Sequence, residues 1–100
     1  MNLHLEQKRV LITGGSRGIG ASAARAFLKE GAKTYIVSRG SDQLYKTGES
    51  LIADFSESNI EIDECDCSDP ISLSLLKERV QEKWAGLDIL IANVGSGSSV

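Results

Sequence analysis

Proline is nearly missing from this chain of 100 residues, with one copy, and histidine and tryptophan also occur once each. So little proline beside 10 glycines excludes a proline- and glycine-rich disordered chain and a collagen-like repeat. Cysteine is almost as scarce. Cys65 and Cys67 lie too close for a disulfide framework and lack the second pair that a zinc site needs, so a reducing, cytoplasmic setting is expected. Basic residues are not in excess: 11 stand against 14 acidic ones, a net charge of −3, without the clustered positive charge of a nucleic-acid footprint. No apolar run approaches the ~20 residues of a membrane span. The opening Met1-Asn2-Leu3-His4-Leu5-Glu6-Gln7 is no secretory signal. What is there, 41% hydrophobic and 25% charged, is the composition of one ordinary globular domain over residues 1–100.

Strand and helix patterns take turns along the chain. Lys8-Arg9-Val10-Leu11-Ile12-Thr13 is a short apolar run ending in glycines, as a buried strand should. Gly18 to Glu30 is alanine-rich, with Ile19, Ala23, Ala26 and Phe27 spaced for one helical face and Gly31 as a stop. Lys33 to Ser38 reads as a second strand, rich in β-branched and aromatic residues. Ser41 is expected to cap a second helix running to about Ser56, with Leu44, Leu51, Ile52 and Phe55 on its apolar side, although Gly48 weakens it. Asn59 to Cys65 alternates in part, as a third strand. Asp69-Pro70 is a strong helix start, followed by Leu73, Leu76, Val80 and Trp84 at helical spacing and Gly86 as a stop. Asp88 to Asn93 makes a fourth strand. The order βαβαβαβ predicts a Rossmann-type α/β fold: a parallel sheet with helices on both faces, because parallel strands need crossover connections. A doubly wound half of this kind has strand order 3-2-1-4, which leaves the apolar Ile89-Leu90-Ile91 at an edge and invites association.

The first strand runs into Thr13-Gly14-Gly15-Ser16-Arg17-Gly18-Ile19-Gly20. Gly14 suits a tight turn out of the strand, Gly18 leaves the backbone open to a pyrophosphate, and Gly20 lets the helix lie close. Helix N-terminal amides would then donate to phosphate. A merely tight turn is the plain alternative, but a position between the first strand and first helix of a βαβ unit favours dinucleotide binding. A P-loop is rejected, because Ala21-Ser22 follows Gly20 in place of the lysine and hydroxyl pair. An acid roughly 20 residues beyond the turn would hold the ribose hydroxyls of NAD. The chain has Ser38 and Arg39 there, and Arg17 in the turn, a pair of guanidinium groups suited to the 2′-phosphate of NADP.

Thr13-Gly14-x-x-x-Gly18-Ile19-Gly20 resembles the cofactor motif of the short-chain dehydrogenase/reductase family, and the resemblance covers essentially the whole chain. It implies that Asp66, just past the third strand, lies near the adenine. Asp88-Ile89-Leu90-Ile91-Ala92-Asn93-Val94-Gly95 is similar to the family's fourth strand and its Asn-Asn-Ala-Gly ending, with Ala92 for the first asparagine and Val94 for the alanine. A basic residue before the second motif glycine, and another past the second strand, both go with NADP in that family. The expected cofactor-binding residues are therefore Gly14, Ser16, Arg17, Gly18, Ile19, Gly20, Ser38, Arg39, Asp66, Asn93 and Gly95, with no metal ligands.

The family's proton-transfer pair is a tyrosine with a lysine four residues on, whose charge favours tyrosinate. Arg39 follows Tyr35 at that spacing and Glu49 follows Tyr45, so no catalytic residue is assigned. The expectation is the N-terminal, cofactor-binding part of a longer NADP-dependent oxidoreductase acting on a small carbonyl or alcohol, a homo-oligomer in full length. A non-catalytic NADP-binding sensor module is the alternative. His4, in a polar extension, has no role. The acidic Glu61, Asp63 and Glu64 read as a solvated edge. Cys65 and Cys67 are expected to point to opposite sides of the chain and to serve packing and turn roles.

Overall fold

The computed structural model describes residues 6–14 and 18–92, and of Ile19 and Ser41 the backbone alone. Strands β1 (Arg9–Thr13), β2 (Lys33–Ser38), β3 (Ile60–Glu64) and β4 (Ile89–Ala92) alternate with helices α1 (Gly18–Lys29), α2 (Ser41–Asp54) and α3 (Pro70–Trp84). All pairings are parallel and the sheet order is β3-β2-β1-β4. β1 lies between β2 and β4: Val10 is level with Thr34 on one side and Ile89 on the other, and Thr13 with Val37 and Ala92.

Side chains of successive β1 residues leave the sheet on opposite faces, and both faces are covered. Val10, Ile12 and Ile36 pack with Ala24 and Leu28 of α1 and Leu44 and Leu51 of α2. Leu11, Tyr35, Val37 and Cys65 pack with Leu76 and Val80 of α3. Burying each large aliphatic of these two layers stabilises the fold by roughly 1.5–3 kcal/mol. No helix among the described residues is long and apolar enough to cross a membrane.

Helix boundaries follow local chemistry. Asp69 caps α3: its carboxylate accepts from Ile71 N at 3.3 Å and from Ser72 Oγ at 2.9 Å, and Pro70 takes the first helical position. Gly31, at φ 83°, turns the chain out of α1 while Ala32 N donates to Phe27 O at 3.1 Å. Gly48 is buried in α2, and a Cβ there would lie 3.0 Å from Ile62 Cδ1. The glycine that weakens the helix in isolation is what lets it approach the sheet.

Several expectations are corrected. Gly40, in extended conformation, is the residue before α2, so Ser41 lies inside the first turn and is not the cap. The helix ends at Asp54, and a short 3₁₀ turn, Glu57–Asn59, intervenes before β3. In α1 Ala23 and Phe27 pack against the core as expected, but the buried positions are Gly20, Ala24 and Leu28, and Ala26 is exposed. Ile52 of α2 is exposed as well. The acidic residues of β3 are paired. Asp63 Oδ2 accepts from Tyr35 Oη at 2.8 Å and Arg79 Nε at 2.6 Å, Glu64 accepts from Tyr45 Oη, and Glu61 meets Lys83. Burial and the Asp63 carboxylate push the Tyr35 phenol up to about 12. β4 lies at the sheet edge as expected. Leu90 is 58% exposed, while Ile89 and Ile91 pack against the layer formed with α1 and α2.

The opposite end of β1 is clamped by charge. Asp88 Oδ2 accepts from Arg9 N at 2.8 Å and Arg9 Nε at 3.1 Å, and Arg9 Nη1 donates to Trp84 O at 2.8 Å. Arg9 thereby ties the end of α3 and the start of β4 to the central strand. These bonds hold the Asp88 carboxyl down at about 2. A depressed carboxyl stabilises the fold fully above its unfolded value of about 4, and the contribution is lost as pH falls toward the folded value. Acid unfolding followed by circular dichroism is therefore expected to show a shallower loss of stability from about pH 4 downward in Asp88→Asn than in the parent. Identical slopes would mean that the clamp does not titrate with folding. Thr34, in contrast, is fully buried, and its Oγ1 has no hydrogen-bond partner among the described residues. Thr34→Val should raise stability by about 1 kcal/mol in urea unfolding, since an unpaired buried hydroxyl costs more than a methyl group in its place. A loss of stability would reveal a partner for the hydroxyl.

Candidate functional site

In an open parallel sheet, the ends of two strands whose connections run to opposite faces leave a crevice between them. Here that point is the carboxyl end of β1, flanked by β2 and β4. Gly14 stands at its rim with φ 68°, and its N donates to Val37 O at 2.7 Å, which carries the ladder one residue past β1. Gly18 opens α1 with φ 60°. Both angles are left-handed, where a side chain costs about 1–2 kcal/mol, so glycine is required by the backbone itself. Among the described residues, a Cβ on Gly18 would meet nothing within 4 Å beside the first turn of α1. The first amides of a helix have no intrahelical acceptors and carry partial positive charge. Gly20 is buried, where α1 approaches the sheet.

The second wall is built from the ends of β2 and β3. Cys65 N donates to Ser38 O at 3.0 Å, and Gly40 N donates to Ser38 Oγ at 3.3 Å. Arg39 is exposed beyond β2. Asp66 follows β3, and its Oδ1 accepts from Ser68 Oγ at 2.6 Å and Ser68 N at 3.0 Å. Those two bonds, with the positive charge of Arg39, hold the Asp66 carboxyl below its ordinary range. Arg39 and Asp66, 27 positions apart in the chain, are thus electrostatic neighbours at one rim. Ser68 was not singled out from the sequence. Its signal was the Asp-x-Ser spacing, which favours a turn closed by the aspartate side chain.

The structure therefore gathers Gly14, Gly18, Gly20, Ser38, Arg39 and Asp66 at the carboxyl ends of the strands. Ile19 lies in the first turn of α1. Ser16, Arg17, Asn93 and Gly95 fall outside the described residues. No cluster of three or more possible metal-ligating side chains occurs among the described residues. The arrangement offers amides for an anion at α1, and a guanidinium with a fixed carboxylate about the ends of β2 and β3. Tyr35 is buried under α3, edge-on to Trp84 with ring centroids 5.4 Å apart, and Tyr45 is bonded to Glu64.

Known proteins resemble this chain in sequence and fold. A dehydrogenase/reductase SDR family protein 7-like of Dictyostelium discoideum is 39% identical over 106 residues, covering 95% of this chain and 31% of that protein. Short-chain dehydrogenase reductase 3c of Arabidopsis thaliana is 36% identical over 93 residues, covering 93% of this chain and 34% of that protein. Among solved structures, L-sorbose reductase from Gluconobacter frateurii, determined with NADPH and L-sorbose, superimposes with a TM-score of 0.85 at 35% identity, covering 98% of this chain and 37% of that one. The apo-form glucose dehydrogenase of Caenorhabditis elegans gives 0.84 at 32% identity, over 92% and 39%. The chain spans about a third of the length of the curated relatives it matches. The family description short chain dehydrogenase fits residues 8–100, and this chain belongs to that family.

Proposed function

We propose that this chain binds NADP for an oxidoreductase that interconverts a small carbonyl compound and an alcohol. The observation that carries the reading is the rim of β2: Ser38 and Arg39 stand where an NAD site would have an acid, and the charge of Arg39 reaches Asp66 across it. The pyrophosphate would lie over Gly14 and Gly18, against the first amides of α1. Arg39, with Arg17 from the turn, would face the 2′-phosphate, and Asp66 the adenine. Asn93 and Gly95 are assigned to the nicotinamide end. A bound nicotinamide would supply or accept the hydride, while these residues bind and orient it. Neither tyrosine is placed to exchange a proton with a substrate, so the proposal gives no residue of this chain a catalytic role. Crystallised NADPH on L-sorbose reductase supports the reading by analogy of fold and sequence.

The discriminating measurement is the affinity for NADPH against NADH, by calorimetry or fluorescence, in the parent and in Arg39→Asp. The parent is expected to prefer NADPH. Losing one charge-assisted phosphate contact removes about 1.5–3 kcal/mol, so the ratio should fall by about tenfold or more. A parent that prefers NADH, or a ratio that Arg39→Asp leaves untouched, defeats the ribose-end assignment.

Gly18→Val probes the phosphate end independently. The branched side chain would stand in the way of the pyrophosphate, and at φ 60° it would also cost the fold about 1–2 kcal/mol. The variant should remain folded by circular dichroism and lose cofactor binding. Unchanged affinity in a folded Gly18→Val chain would place the phosphates elsewhere.

A further inference from the structure

Cys65 and Cys67 do not point to opposite sides of the chain. Their sulfurs are 3.9 Å apart, Cys67 Sγ donating to Cys65 Sγ, and both side chains pack into the layer between the sheet and α3. Two-residue spacing in extended backbone returns side chains to the same face, and here it creates a dithiol. The members differ in access. Cys65 is buried, and its Sγ donates to Ser72 O at 3.5 Å, whereas Cys67 is half-buried. Asp66 lies between them in the chain, its carboxylate held by Ser68.

We propose that Cys65 and Cys67 form a thiol-modification site, which a low-molecular-weight disulfide of the glutathione type oxidises to an intramolecular disulfide that disturbs the Asp66–Ser68 turn. The steps balance. Cys67 loses its proton to solvent, and its sulfur attacks one sulfur of the small disulfide. A mixed disulfide forms, the small S–S bond breaks, and one thiolate leaves to take up a proton. Cys65 then attacks the Cys67 sulfur and expels the second small thiolate, and the proton that Cys65 gives up ends on that leaving thiolate. The protein dithiol is oxidised by two electrons, and one small disulfide is reduced to two thiols.

The surroundings favour this outcome over other thiol chemistry. Cys65 is buried, which pushes its thiol up to about 11 and disfavours attack on outside reagents, while the sulfur of Cys67 already lies 3.9 Å away. Leu11, Val37, Leu76 and Val80 give an apolar setting that suits the neutral dithiol and neutral disulfide better than a charged thiolate pair holding a metal. Closure needs the sulfurs to move from 3.9 Å to about 2.05 Å. Both cysteines lie past Glu64, the last residue of β3, and the strain of a ring closed across Asp66 falls on the turn that orients its carboxylate.

Intact-mass analysis and peptide mapping of the reduced chain after incubation with glutathione disulfide test the site. The expected product has lost two hydrogens, carries no glutathione, and is bridged between Cys65 and Cys67. In Cys65→Ala, a stable glutathione adduct should accumulate on Cys67, because nothing resolves it. In Cys67→Ser, a near-isosteric change at the half-buried position, Cys65 should react at least about tenfold more slowly than the parent dithiol. An unreactive parent, a parent that retains glutathione, or Cys65 reacting equally fast in Cys67→Ser each overturns the proposal. Amide NMR reads the coupling without any cofactor: the Asp66 and Ser68 resonances should shift on oxidation and return on reduction. Resonances that stay in place would overturn the link to Asp66, whatever cofactor the crevice binds.

Discussion

β1 is paired on both sides, and the rest of the architecture follows from that position. Its neighbours β2 and β4 run parallel to it. A parallel partner cannot be reached by a tight turn, so each connection must carry a helix over a face of the sheet. α1 and α2 cover one face and α3 the other, which is why consecutive residues Val10, Leu11 and Ile12 are all buried though they point in alternate directions. The crevice at the end of β1 is the other consequence. Connections that leave toward opposite faces cannot also fill the space between them, and there the backbone offers the amides at the start of α1.

Charge enters this fold mainly as a way of fixing ends and edges. Arg9 and Asp88 join the amino end of the central strand to the turn before β4, and the same guanidinium reaches the last turn of α3. At the other edge, Asp63 is shared by Tyr35 from β2 and Arg79 from α3, so β3 is tied to its neighbour and to the helix covering it. Exposed ion pairs of this kind contribute little individually. Their effect is positional: they fix strand ends and edges to the helices and turns beside them, while the apolar layers supply the cohesion.

The sequence made the topology legible because each strand and most helix ends carry their own local signals. Asp69-Pro70 is a cap and a first turn whatever surrounds it, and Gly31 stops α1 by its left-handed φ. Helical phase was less legible. Alanine spacing in α1 could not distinguish Ala24 from Ala26, since small side chains weigh little in a pattern and the choice is made by the sheet. Ser41 has the chemistry of a cap, but Gly40 takes that place, where a hydrogen bond to Ser38 Oγ already fixes the backbone N–H. The glycine turn was legible as a backbone requirement at Gly14, whose φ of 68° suits the turn out of β1; the left-handed angle of Gly18 was not read from the sequence, where that glycine stood only as room for a phosphate. The pairing of Asp63 with Arg79 was not, because it depends on where α3 lies across the sheet.

The rim around Asp66 shows how closely fold and site share their parts. Asp66 accepts from Ser68, Asp69 N donates to Asp66 O at 3.0 Å, and Asp69 in turn caps α3 through Ile71 and Ser72. A single run of hydrogen bonds therefore starts the helix and aims the carboxylate. Three constraints meet in a few residues: β3 must end, α3 must begin, and Asp66 must face the rim it shares with Arg39. A dithiol placed across that carboxylate acts on the joint where all three are decided. Strain there can reach the crevice without passing through the apolar layers, whose packing resists small displacements.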